Sequence, residues 1–137
     1  MKALRIDHLG VAVRSIDETL RVYRALGIEE AAGTREEVGG QKVRVAFLPV
    51  GESRIELLEP AADDSPVAKY LAKRGPGIHH VCFAVEDLDA ALAELSGKGL
   101  RLIHTAPVPG AGGKRVAFLH PDAGDGVLIE LAEKKGG

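Results

Sequence analysis

The chain repeats itself, and the repeat constrains everything that follows. Arg44-Val45-Ala46-Phe47-Leu48 returns as Arg115-Val116-Ala117-Phe118-Leu119, 71 positions later. Ile6-Asp7-His8 is answered by Ile78-His79-His80 at an offset of 72, and Ile55-Glu56-Leu57 by Ile129-Glu130-Leu131 at 74. The drift needs only a small insertion between matching strands of the second half. Halves of roughly 70 residues are too short to be two independent domains, so two modules sharing one core is the economical reading. Each copy carries a histidine near its start and a glutamate near its end.

The local pattern of each copy is β-α-β-β-β. Residues 4–13 alternate as a strand, with Val11 and Val13 on one face and His8, Gly10 and Ala12 on the other. Ser15-Ile16-Asp17-Glu18 is a capping-box pattern. Ile16, Leu20, Tyr23 and Leu26 then fall at helical spacing, and Gly27 supplies a stop. Strands are expected near 28–36, 42–49 and 53–59, with turns at Gly39-Gly40 and Gly51-Glu52. Ser65-Pro66 opens a short connector helix over Val67–Lys73, which ends before Gly75-Pro76-Gly77. The second copy follows: a strand over 78–86, and a helix with Leu88, Ala91, Leu92 and Leu95 inward, closing at Gly97–Gly99. Strands are then expected near 100–105, 114–120 and 126–132. The expected organisation is a single domain over 1–137, with module one at 4–60, a connector at 61–77 and module two at 78–133. The tail Lys134–Gly137 is expected to fray.

Composition removes several function classes. A hydrophobic content of 45% with 28% charged residues is ordinary for a globular chain. The formal net charge is −2 with both signs interspersed, so no basic face for nucleic acid is evident. No apolar run approaches the ~20 residues of a membrane helix. Met1-Lys2-Ala3-Leu4 leads directly into a strand pattern, which leaves no room for a secretory signal. Cys82 is the single cysteine and cannot form an internal disulfide, so a cytoplasmic location is expected.

His8, Glu56, His80 and Glu130 are the residues that carry chemistry. Two imidazoles and two carboxylates suit a divalent transition metal, and the lack of thiolate ligands argues against a closed structural zinc site. The His strand and the Glu strand are the outer two of each module, so a curled sheet would let the four side chains meet in its concavity. A lone histidine on a strand is usually structural. Here, however, each glutamate interrupts an apolar Ile-Glu-Leu run, where a charge needs a reason. His79 faces away from His80 by strand alternation and is the poorer ligand. His104 and His120 have no counterpart in the first half and are assigned supporting or surface roles. The loop Pro107–Lys114 is long and glycine-rich. Either its backbone N–H groups approach an anionic ligand, or it is a plain mobile hairpin loop.

On these residues the chain resembles the vicinal-oxygen-chelate superfamily of paired β-α-β-β-β units. Within it, the chain is most similar to the methylmalonyl-CoA epimerase family. The resemblance runs from Ile6 to Glu133. It is carried by Ile6–Val13, by Ile55–Pro60 continuing into Asp64–Leu71, by Gly77–Val81, and by Gly110–Arg115 through Phe118–Pro121 to Gly126–Leu131. It implies an α+β fold of two tandem β-α-β-β-β modules in a curled, partly open mixed sheet. It also implies a homodimer, an acyl-CoA substrate, and a divalent metal ion (Co, Mn, Ni or Zn) on His8, Glu56, His80 and Glu130. Some members have Gln at the position of Glu56. The implied activity is interconversion of (2R)- and (2S)-methylmalonyl-CoA through a metal-stabilised enolate, with Glu130 serving also in proton transfer. Some relatives carry a second glutamate at the position of Val45, so the second proton-transfer group stays open. Lys114, Arg115, Lys69, Lys73 and Arg74 are available to the CoA phosphates. A glyoxalase I-like lyase and a non-catalytic ligand-sequestering protein of the same fold are the alternatives.

Overall fold

The computed structural model describes residues 1–134. Lys135, Gly136 and Gly137 of the expected tail lie outside the described residues. Lys134 itself is tied down: its N–H donates to the Val85 carbonyl at 2.8 Å and its Nζ lies 3.4 Å from Glu86. The chain divides into two compact units. One is His8–His79; the other joins Met1–Asp7 to the described residues from His80 onward.

The first of these holds most of β1 (Arg5–Ala12) together with β2 (Glu36–Val38), β3 (Val43–Val50) and β4 (Ser53–Pro60), in the sheet order β2-β3-β4-β1. β1 pairs with β4 in parallel, with Gly10 opposite Glu56. β3 and β4 form an antiparallel hairpin with Phe47 opposite Glu56, closed by a two-residue turn in which Gly51 takes a φ of 59°. The His and Glu strands, first and last along the module, are therefore neighbours in the sheet. Helix α1 (Ile16–Ala25) buries Ile16 and Leu20 against Ala46, Leu48 and Leu57. Those three strand residues share one face, which leaves Val45, Phe47, Glu56 and Leu58 on the other. The connector helix α2 (Pro66–Arg74) begins where Ser65 accepts the Ala68 N–H at 2.9 Å, with Pro66 in its first turn.

The second unit repeats the design. Its order is β5-β8-β7-β6, with β5 Gly77–Val85, β6 Val108–Pro109, β7 Arg115–Phe118 and β8 Ile129–Glu133. β5 and β8 are parallel, with Cys82 opposite Glu130, and β7 and β8 are antiparallel, with Phe118 opposite Glu130. Helix α3 (Leu88–Gly97) packs Leu88, Ala91 and Leu92 on Ala117, Leu119 and Leu131.

The repeat also explains a second pair of glutamates. Glu59 accepts the N–H of Ile16, the first residue of α1, at 3.0 Å and is held by Arg44 at 2.7 Å. Glu133 accepts the N–H of Leu88, the first residue of α3, at 3.0 Å and is held by Arg115 at 3.0 Å. In each module a carboxylate at the end of the last strand satisfies an orphan N–H at a positive helix end.

Two expected strands are corrected. Residues 28–35 are irregular, and only Glu36–Val38 pairs. Gly33 turns the chain with a φ of 71°, and a single bond from Ala31 N–H to the Phe47 carbonyl (2.8 Å) ties the segment to β3. Residues 100–105 likewise make only an isolated bridge, Leu102 to Leu119. The Phe118 carbonyl there receives both the Ile103 and the His104 N–H, which breaks the ladder. The edge strand of this half is Val108–Pro109, inside the segment expected to be a loop. Pro109 cannot donate to a ladder, which suits an edge and keeps the strand short.

Candidate metal and acid–base site

Among the described residues, six polar or charged side chains are buried: Asp7, His8, Glu56, Ser65, His80 and Glu130. All four predicted ligands are in that set. Ser65 is there as the helix cap. Asp7 is there with Lys114, whose Nζ lies 2.8 Å from its Oδ1.

The two halves build their pairs alike. In the first, His8 stands two residues before Gly10 on β1, on the face shared with Glu56. Its Nδ1 lies 3.1 Å from Glu56 Oε2, and both side chains are nearly inaccessible. Arg54, two residues before Glu56 on the same strand face, donates Nε and Nη2 to that same Oε2 at 2.8 and 2.7 Å. The Arg54 guanidinium sits over the Phe47 ring, 5.6 Å from its centroid. In the second half, His80 Nε2 lies 3.1 Å from Glu130 Oε1. The Phe118 ring meets His80 edge-on at 5.5 Å between centroids.

The remaining histidines are occupied elsewhere. His104 Nδ1 accepts the Phe118 N–H at 3.0 Å, and so braces the strand that carries Phe118. His120 Nδ1 accepts the Asp122 N–H at 3.1 Å and caps a 3₁₀ turn over Pro121–Gly124. His79 packs against Tyr70, whose hydroxyl donates to the Ile78 carbonyl at 2.7 Å. The glycine-rich segment is built into the fold. A Cβ on Gly110 would come within 2.7 Å of the Val116 methyls, and its N–H donates to the Lys114 carbonyl at 2.9 Å. Two of the cations offered to CoA phosphates are committed to ion pairs: Lys114 to Asp7, and Arg115 to Asp89 and Glu133. Asp89 foremost, and then Glu133, raise the Arg115 pKa above its ordinary value. The carboxylates of Asp87, Asp89 and Glu133 approach one another, and a guanidinium already serves two of them.

Val45 is fully buried, and the register sets Glu36 of β2 directly opposite it. Sequence reasoning passed over Glu36. The irregular stretch before it hid the pairing, and only the β2–β3 register reveals a carboxylate beside Val45.

Residues 7–118 match the Glyoxalase/Bleomycin resistance protein/Dioxygenase superfamily model. A Cereibacter sphaeroides ethylmalonyl-CoA/methylmalonyl-CoA epimerase is 39% identical over 94% of this chain and 97% of its own. The chain belongs to the methylmalonyl-CoA epimerase family. A methylmalonyl-CoA epimerase solved with methylmalonyl-CoA and NH4+ superposes with a TM-score of 0.92 at 40% identity, covering 98% of this chain and 97% of that one. An uncharacterised Bacillus subtilis protein is 44% identical over 96% of this chain and 94% of its own. The α+β class with tandem β-α-β-β-β modules is the fold of this family.

Proposed function

We propose that this protein interconverts the (2R) and (2S) forms of methylmalonyl-CoA by moving the proton at C2. In this reading His8, Glu56, His80 and Glu130 hold one divalent ion. The observation that carries the reading is the buried imidazole–carboxylate pair repeated in each module at 3.1 Å, in a chain of this family. Buried nitrogen and carboxylate oxygen that close together are the donor set a divalent transition metal takes, so the residues fit the ion. A divalent ion there would supply Lewis-acid charge to the thioester and carboxylate oxygens flanking C2.

The chain's own groups do the rest. Glu130 takes and returns the C2 proton on one face, within the water-poor environment that its burial provides. Val45 cannot carry a proton. On the opposite face the proton passes through water or through Glu36, the carboxylate across from Val45. The relative bound to methylmalonyl-CoA supports an acyl-CoA substrate. The homodimer implied by the family resemblance belongs to the same reading. Cys82, the single cysteine of the sequence, is a buried free thiol, which supports a cytoplasmic setting.

Proton NMR of methylmalonyl-CoA in D2O tests the proposal. The enzyme should wash out the C2 proton, chelator should stop it, and Glu130→Gln should lower the rate at least ~100-fold. Undiminished exchange in Glu130→Gln overturns that residue's role. Glu36→Gln slows exchange from one epimer only if Glu36 serves the second face, and leaves both untouched if water does.

A further inference from the structure

The two half-sites share histidine, glutamate and phenylalanine, but they differ in charge two residues before the glutamate. Ser53-Arg54-Ile55-Glu56-Leu57 in the first half matches Val127-Leu128-Ile129-Glu130-Leu131 in the second, so Leu128 stands where Arg54 does. We infer that Arg54 is a positioning residue that orients Glu56 and offsets its charge within the ligand set, a role the second half-site lacks. The inference rests on the ligand set proposed above.

The geometry follows from the strand. Residues two apart on β4 project to the same face, so Arg54 lies alongside Glu56 rather than across the sheet from it. Phe47, directly opposite Glu56 on β3, provides the ring on which the guanidinium lies. Nε and Nη2 then converge on Glu56 Oε2, the same oxygen that His8 Nδ1 approaches. The Arg54 side chain is only 21% accessible and that of Glu56 3%, so solvent screens the pair weakly. A guanidinium does not deprotonate in a protein, and its planar donors hold the carboxylate's orientation as well as its charge. A carboxylate so held is a well-oriented ligand.

The charge count gives the arrangement a purpose. With neutral imidazoles, two carboxylates carry two negative charges and Arg54 returns one. The set is left with one net negative charge, the same as with glutamine at 56 and no arginine at 54. An ion in that set keeps Lewis acidity that a second uncompensated carboxylate would quench.

A double-substitution cycle of Arg54→Met and Glu56→Gln tests this, read by apo-protein melting, by Co2+ absorbance titration and by C2 deuterium exchange. Arg54→Met alone should lower the apo melting temperature, tighten Co2+ roughly 10-fold and slow exchange roughly 10-fold. Glu56→Gln alone should weaken Co2+. The double variant should return within about 3-fold of wild type in both affinity and exchange, because the charge is restored. Effects that simply add overturn the inference. Coupling in the apo melts without coupling in Co2+ affinity or exchange also overturns it, because the pair is then structural only. Wild-type protein that exchanges the C2 proton without binding Co2+ overturns the ligand reading itself, and the inference with it.

Discussion

Asp7 shows what a buried charge requires in this chain. Its side chain is 2% accessible, and Lys114, at 12%, closes on it from the end of the glycine-rich segment, with Arg5 farther off at 3.8 Å. Removing one partner of such a pair strands the other in a medium that solvates it poorly, which costs more than the pair contributes. Lys114→Met should therefore lower stability by about 3 kcal/mol in urea unfolding. Adding Asp7→Asn to that background should recover part of the loss, because the stranded charge is gone. Equal destabilisation of the single and double variants would mean that the lysine acts through packing. The same reasoning separates Lys114 from the cations offered to a CoA phosphate. A lysine that holds a buried carboxylate at 2.8 Å is not available to a second anion without exposing the first.

Helix starts are where the modules show their common origin most plainly. Ser15 and Asp87 cap α1 and α3 through the Glu18 and Ala90 N–H groups, and Glu59 and Glu133 reach the first N–H of the same helices from the last strands. Glu59→Ala and Glu133→Ala should each cost about 2 kcal/mol in urea unfolding, since a charged acceptor at a helix N-terminus is lost. Ser15→Ala should cost about 1 kcal/mol. A glutamate loss no larger than the serine loss would show the strand-to-helix tie to be incidental. The sequence made the helices and their caps legible because Ser15, Ser65-Pro66 and Gly27 act locally. It made the His and Glu strands legible because their alternation is strict. It misplaced the strands near 28–36 and 100–105 for a physical reason. Both segments have strand-like residues, but their hydrogen-bond partners are chosen by distant chain: Phe47 for Ala31, and Phe118 for Ile103 and His104. The four candidate ligands were readable from their repetition. Arg54 was not, because a single arginine beside a glutamate looks like any exposed ion pair until the register sets Phe47 beneath it and burial removes the solvent.

On the scale of the whole chain, the duplicated His and Glu make a claim that neither module can satisfy alone. If one ion takes ligands from both modules, binding must stabilise both together, because the unfolded chain offers no assembled set. At a free ion concentration of about 100 times the dissociation constant, linkage contributes about 2.7 kcal/mol. For a chain of this length that is a rise of roughly 10 °C in melting temperature. Co2+ should therefore shift a single calorimetric transition upward, and chelator should reverse the shift. His8→Ala should abolish most of the shift, and so should His80→Ala, although the two residues lie 72 positions apart. If only one of these substitutions removed the shift, the ion would belong to one module. The repeat would then have kept its second His–Glu pair for packing, with His80 seated on Phe118 as an aromatic contact and not as a ligand.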